Sequence, residues 1–250
     1  MGMIITETDT AMIVHKCHGC GSINIVRNGT NRIGQEQYHC LDCGVFRVLK
    51  PKRVKQKSPK HQVLKACLER CSLRGIARIF SISRNTIMSW VKAHVNALPE
   101  LTETLLVPSD EDVLEWDEAW SFVAKKTEKR WIWTVMCRRT RQIVGYVIGD
   151  RSEKSCEALW NKLPKTYQRL HSYSDLWQAY QNVIPSEHHD AVGKDSGETA
   201  HMERWYNTLR QWLGRMTRKT LSFSKKESYH DLFIKWFIIE HNQRMTLSLT

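Results

Sequence analysis

Three sets of side chains in this 250-residue chain have types and spacings that can do chemistry. The first is Cys17-x2-Cys20, followed after residues 21–39 by Cys40-x2-Cys43. Two such knuckles offer four soft thiolates in a tetrahedron and predict a structural zinc ribbon, closed to substrate. Gly19, Gly21 and Gly44 suit the tight turns, Val26 and Tyr38 should pack between the hairpins, and His15, His18 and His39 read as neighbours of the metal. A ribbon this small buries too little surface to stand alone, so the ion should supply much of its stability. The second set is acidic: Asp117, Asp175 and Glu203, one on each of three distant segments. Brought together, they would repel and shift one another's pKa unless a cation neutralised them. Hard oxygen ligands at an open site suit Mg²⁺ or Mn²⁺. Two such ions about 3.5–4 Å apart can serve an in-line phosphoryl displacement. The third set is the basic excess, a net charge of +12, which points to a polyanionic partner and most simply to nucleic acid.

The elements that would carry the acids can be read from periodicity. Residues 201–211 (HMERWYNTLRQ) form a helix with Thr199 as its cap; Thr199, Glu203, Asn207 and Arg210 share one face, and Met202, Trp205 and Leu209 share another. Val113–Val123, Arg130–Arg138 and Gln142–Gly149 read as an antiparallel meander. A helix over 153–163, a strand over 169–174, a helix over 176–183 and a short strand over 187–192 follow. That order is the order of a ribonuclease H-like α/β fold, a mixed sheet with flanking helices in which the first and fourth strands are neighbours. Asp117 then lies within the first strand, Asp175 just after the fourth, and Glu203 on the covering helix. Glu115 and Glu118 compete with Asp117; alternation puts Glu115 on its side of the strand and Glu118 on the other. Asp150, Asp190 and Asp195 read as loop acids. Trp116, Trp131, Trp133, Trp160 and Trp236 read as core, as do Trp177, Trp205 and Trp212 beside the proposed site.

Ahead of the sheet, residues 61–98 have the spacing of a helix-turn-helix, whose third helix opens with Arg84, Asn85, Thr86 and Ser89, the residues placed to reach base edges. Between ribbon and helices runs a basic stretch containing Arg47, Lys50, Lys52, Arg53, Lys55 and Lys57, suited to lie along phosphates. The expected organisation is ribbon 1–50, basic linker 51–60, helix-turn-helix 61–98, linker 99–112, catalytic part 113–243 and a loose tail 244–250. Cys67 and Cys71, one turn apart, read as small buried apolar residues. Eight cysteines without a secretory start argue for reduced thiols, and no apolar stretch reaches the roughly 20 residues of a membrane span. A prokaryotic cytoplasmic protein associated with the nucleoid is the expectation.

The segments WDEAW, SYSDLWQAY, HMERWYNTLRQWLGRMTRKTLSFSKK and YHDLFIKWFIIEHN resemble the catalytic half of insertion sequence 1 family transposases, and the ribbon and helix-turn-helix resemble that family's DNA-binding portion. The resemblance implies a DDE transposase with Asp117, Asp175 and Glu203 as the triad that binds Mg²⁺ or Mn²⁺. Asn207 and Arg210 would then orient Glu203 or the scissile phosphate, while Arg204, Arg215, Arg218 and Lys219 would grip DNA. The implied reaction is metal-assisted hydrolysis at the element's ends, followed by joining of the 3′-hydroxyls to double-stranded target DNA. Holding both ends calls for a homodimer or a larger assembly. Two other readings stay open: a zinc-ribbon/helix-turn-helix transcriptional repressor, and a ribonuclease H-like nuclease that cuts without strand transfer.

Overall fold

In the computed structural model, which describes residues 2–8, 11–49, 59–217 and 219–249, the chain divides into two compact units, residues 1–58 and 59–250. The first unit holds an antiparallel hairpin, β1 (Ile5–Thr8) with β2 (Ala11–Val14), and a meander of β3 (Ile25–Thr30), β4 (Glu36–Cys40) and β5 (Phe46–Val48). Its small core joins Ile4, Ile25, Tyr38 and Leu49 to Cys17 and Cys40. Ile25 takes the place expected for Val26. The β3–β4 register sets Ile25 opposite Cys40, which turns the next residue, Val26, toward the other face.

The second unit opens with α1 (Lys60–Cys67), α2 (Leu73–Phe80) and α3 (Arg84–Asn96). Serine starts both later helices: Ser72 accepts from the Gly75 N–H at 2.9 Å and Ser83 from the Thr86 N–H at 3.1 Å. Val63, Leu64, Ile76, Ile87, Val91 and Val95 are buried, in one continuous core with Leu209, Phe233 and Phe237 from further along the chain. Cys67 joins that core, whereas Cys71 is exposed. Residues 99–112, expected as a linker, are built into the unit. A 3-10 turn spans Leu101–Thr104, and the Thr104 carbonyl accepts from Gln142 Nε2 at 2.7 Å.

Then come β6 (Val113–Phe122), β7 (Lys129–Cys137), β8 (Ile143–Gly149), α4 (Glu153–Lys162), β9 (His171–Ser174), α5 (Gln178–Val183), β10 (His189–Ala191), α6 (Ala200–Trp212) and α7 (Glu227–Leu249). The five strands lie in the order β10-β9-β6-β7-β8, with β6, β7 and β8 antiparallel and β9 and β10 parallel to β6. This is the ribonuclease H-like mixed sheet, first strand beside fourth. Alternation along β6 serves both faces: Leu114 and Trp116 pack in a core with α4 and α5, while Ala119 packs in the core that contains α6 and α7. The final helix runs to Leu249 where a loose tail from 244 was expected. Gln142 donates to the Thr246 hydroxyl at 3.0 Å, which ties that last turn to the sheet. Among the described residues no helix is long and apolar enough to cross a membrane.

Candidate active site and metal centre

Asp117, Asp175 and Glu203 line one cavity of about 290 Å³, together with Glu118, Arg151 and Arg210. Three separate segments deliver them. Asp117 sits mid-strand on β6, the sheet's central strand. Asp175 follows β9, pinned by its own loop, where Oδ1 accepts from the Trp177 N–H at 3.0 Å. Glu203 lies in the first turn of α6 and is exposed. Burial, and then the charges of Glu118, Asp175 and Glu203, push the Asp117 carboxyl up to about 7. Glu118, expected to point away, reaches the same cavity from the other side of the strand. Its carboxylate is nearly enclosed, accepts from the Tyr180 hydroxyl at 2.6 Å and pairs with Arg151 at 2.7 Å. The Arg151 guanidinium in turn lies over Trp177 at 4.1 Å and Trp131 at 4.7 Å. Trp177 is therefore a partly exposed lid on an ion pair, in place of the core residue expected. Trp177 lies two residues after Asp175 and so sits beside the site already in sequence, whereas Arg151 carries no such signal, because only the fold brings it beside the acids.

Two contacts fix α6 over β6. Thr199 stands at the cap position but its side chain makes no capping bond. The cap comes from the sheet: buried Glu115 accepts from the backbone N–H groups of His201 and Met202 at 3.1 and 3.3 Å, and from His201 Nδ1 at 2.6 Å. A carboxylate at a helix N-terminus meets both the unpaired N–H groups and the positive end of the helix dipole. Arg138 completes the anchor, donating to Glu115 at 2.8 Å and pairing with Glu198 at 2.8 Å. One turn further along, the Tyr206 hydroxyl lies 2.6 Å from the Thr134 hydroxyl, 3.0 Å from the Asp117 carbonyl and 2.7 Å from the Ile132 carbonyl. Glu203 thus stands between two ties to the strand that carries Asp117. Nothing local in the sequence marks Glu115 as more than a competitor of Asp117, or points to a role for His201 or Tyr206.

Of the other expected site residues, Arg210 lines the acid cavity; Asn207, exposed on α6, does not. Arg204 lines a different cavity, and Lys219 is exposed. Arg215, expected to grip DNA, has its guanidinium stacked on Phe233 at 3.5 Å and donating to Ser224 at 3.0 Å, contacts that serve packing. Burial lowers it to about 10. Arg218, Lys50, Lys52, Arg53, Lys55 and Lys57 lie outside the described residues. Arg84, Asn85 and Ser89 are exposed at the start of α3, and Arg84 and Asn85 edge a groove with Arg74 and Arg78 of α2, two cations that the sequence reading passed over. The Thr86 hydroxyl is 2.9 Å from that of the capping Ser83.

In the first unit Cys17, Cys20, Cys40 and Cys43 have their sulfurs all within 4.8 Å of one another, the one such group of His, Cys, Asp or Glu among the described residues arranged to hold an ion. The Cys17–Cys43 and Cys20–Cys40 sulfurs are 3.6 Å apart. That is far too long for a disulfide and close to the edge of a tetrahedron with metal–sulfur bonds of about 2.3 Å. Both knuckles close the same way: Gly21 donates to the Cys17 carbonyl and Gly44 to that of Cys40, each at 2.9 Å and with a positive φ that a side chain would resist. The backbone N–H of Cys20, first among several donors, pulls the Cys17 thiol down to about 6. The donor set fits zinc. His39 stacks on Phe46 at 4.1 Å and is no ligand. Asp117, Asp175 and Glu203 share a cavity without forming so tight a cluster.

Over 130 residues the chain is 34% identical to the insertion element iso-IS1n protein InsB of Shigella dysenteriae, covering 52% of this chain and 95% of that one. Over a further 130-residue match it is 33% identical to the insertion element IS1 protein InsB of Shigella flexneri, covering 52% and 96%. Superposition on the Mos1 transposase paired-end complex is loose, with a TM-score of 0.36 and 11% identity over 81% of this chain and 79% of that one, so the fold description rests on the strand order itself. Residues 113–244, the sheet and the helices that frame its acids, match the IS1 transposase family, and the chain belongs to that family.

Proposed function

We propose that this transposase binds the ends of its insertion sequence, cuts them by metal-assisted hydrolysis and joins the freed 3′-hydroxyls to target DNA. The observation that carries the proposal is the shared cavity of Asp117, Asp175 and Glu203, built by three segments of the region that matches the family. Oxygen donors of this kind suit Mg²⁺ or Mn²⁺, which when bound as a pair activate the attacking oxygen and neutralise the leaving one. The chain's own groups set the frame. Glu115 and Tyr206 hold α6, and therefore Glu203, in register with Asp117. Arg210 supplies positive charge on the cavity wall. Arg151 is committed to Glu118 and keeps that fourth carboxylate paired.

DNA recognition is assigned to the exposed start of α3, with Arg84, Asn85 and Ser89 toward base edges and Arg74 and Arg78 toward the backbone. The four-cysteine centre holds structural zinc. Both ends must be held at once, so the working form is a dimer or larger. A strand-transfer assay with labelled terminal DNA, target plasmid and Mg²⁺ tests the proposal. Wild type should give a joined product, while Asp175→Asn and Glu203→Gln should bind terminal DNA and yield neither cut nor joined product. Cleavage without joining in the wild type would make the protein a nuclease. No reaction from the wild type, with end binding intact, would leave a DNA-binding repressor.

A further inference from the structure

The acid cavity has an aromatic rim. Trp120 and Trp131 line it, and the β6–β7 register makes them cross-strand partners near the turn of that hairpin. Trp120 stands three residues beyond Asp117, about 10 Å along the strand. Cations alternate with the rings. Lys129 Nζ lies over Trp120 at 5.2 Å, and the Arg151 guanidinium lies over Trp131 at 4.7 Å and Trp177 at 4.1 Å. The result is a strip of indoles and positive groups that starts at the acids.

Core packing does not account for these rings. Trp116 and Trp133, on the same side of the sheet, are fully buried in the core with α4 and α5, and Trp131 borders that core. Trp120 and Trp177 belong to none of the three apolar cores among the described residues. Trp120 is half-buried beside the carboxylates, and Trp177 is 37% exposed, next to an exposed Leu176. An indole open to a charged cavity forgoes much of the burial that stabilises a ring of its size. What the strip offers instead is flat π-surface next to positive charge, from Lys129, exposed at the start of β7. Bases stack on such rings and phosphates meet such cations. A base inside a duplex has both faces covered by its neighbours, so only a nucleotide out of its pair can use them.

We infer that this strip receives unpaired nucleotides at the end of the DNA substrate, their bases stacked on Trp120 and Trp177 and their phosphates facing Lys129. The inference rests on the proposed function for its DNA and adds the state of that DNA: the terminal pairs are open when the end is bound beside the acids. Trp120 and Trp177 then hold the opened strand, while recognition of the paired sequence stays with α3.

The test is fluorescence anisotropy with the full-length protein, without divalent ions, on two labelled terminal DNAs that share the strand bearing the 3′ end. In one the terminal pairs are intact; in the other the complementary strand is altered so that they cannot form. The wild type should bind the opened end more tightly, by about fivefold or more. Trp120→Leu and Trp177→Leu remove the aromatic face and stay apolar; each should abolish most of that preference and leave affinity for the paired end close to wild type. Trp120→Phe should retain the preference, which a purely structural need for the indole would not allow. No reaction is involved, so the inference can fail while strand transfer stands, and the preference can be read even if strand transfer fails. Equal binding of the two ends by the wild type, binding of neither, or a preference that either leucine variant keeps would overturn the inference.

Discussion

Asp117 shares its cavity with three other carboxylates, and burial, with their charges, raises it to about 7. A raised carboxyl stabilises the folded chain while protonated, fully so below the unfolded value near 3.8, and that contribution is lost as pH rises through 7. Without divalent ions at pH 8, Asp117→Asn should therefore be more stable than wild type by on the order of 2 kcal/mol, or several degrees in melting temperature. The difference should shrink steadily as melts are repeated toward pH 4; equal melting temperatures at pH 8 would refute the burial of charge argued for Asp117. Limiting Mg²⁺ should give activity that climbs through pH 7, and more Mg²⁺ should move the midpoint lower, because cation and proton compete for one carboxylate. The Tyr206 hydroxyl makes a different kind of prediction. It sits among Thr134 and two carbonyls in the interior, so Tyr206→Phe should cost about 1–3 kcal/mol in a urea titration and slow strand transfer. Stability lost with transposition rate unchanged would mean that this tie does not position Glu203.

At the scale of elements, α6 is held by a cap that belongs to another segment. Glu115 lies 86 residues before His201 in the chain, yet accepts from its ring and backbone. Glu115→Ala would strip Arg138 of a buried partner, and about 3–5 kcal/mol of lost stability is expected from urea midpoints; a loss under about 1 kcal/mol would show the anchor to be dispensable. The same contact shows where sequence stops being informative. Alternation in VLEWDEAWSF correctly put Glu115 on the side of Asp117, and the strand–helix order correctly gave a ribonuclease H-like sheet with β6 beside β9. Periodicity could not tell that one of these acids caps a helix while the other lines a cavity, since that depends on where α6 lands. Thr199 looked like the cap because capping rules are local and this cap is not. Arg215 looked like a DNA contact because a basic run hides the approach of Phe233. The end of α7 looked loose because Gln142, which holds Thr246, is 104 residues away.

For the whole molecule, the two compact units should respond separately to chemistry aimed at one of them. Removing zinc with a chelator should unfold the ribbon, whose ion supplies much of its stability, and leave the melting transition of residues 59–250 in place. Elemental analysis should find one zinc per chain, lost in Cys43→Ser; a zinc-free protein with an intact ribbon would contradict the metal centre. The net charge of +12 predicts end binding that weakens steeply with salt. Loss of one phosphate contact, as in Arg78→Ala, should reduce the log–log salt slope by about 1. The central claim is that Asp117, Asp175 and Glu203 jointly hold the catalytic cations, and the most direct measurement replaces Mg²⁺ with Fe²⁺ in the assembled protein–DNA complex and maps where hydroxyl radicals cut the chain. The account predicts backbone cuts clustered at residues 117, 175 and 203, suppressed by excess Mg²⁺ and absent in Asp117→Asn. Cuts confined to other segments, or a pattern unchanged in that variant, would contradict it.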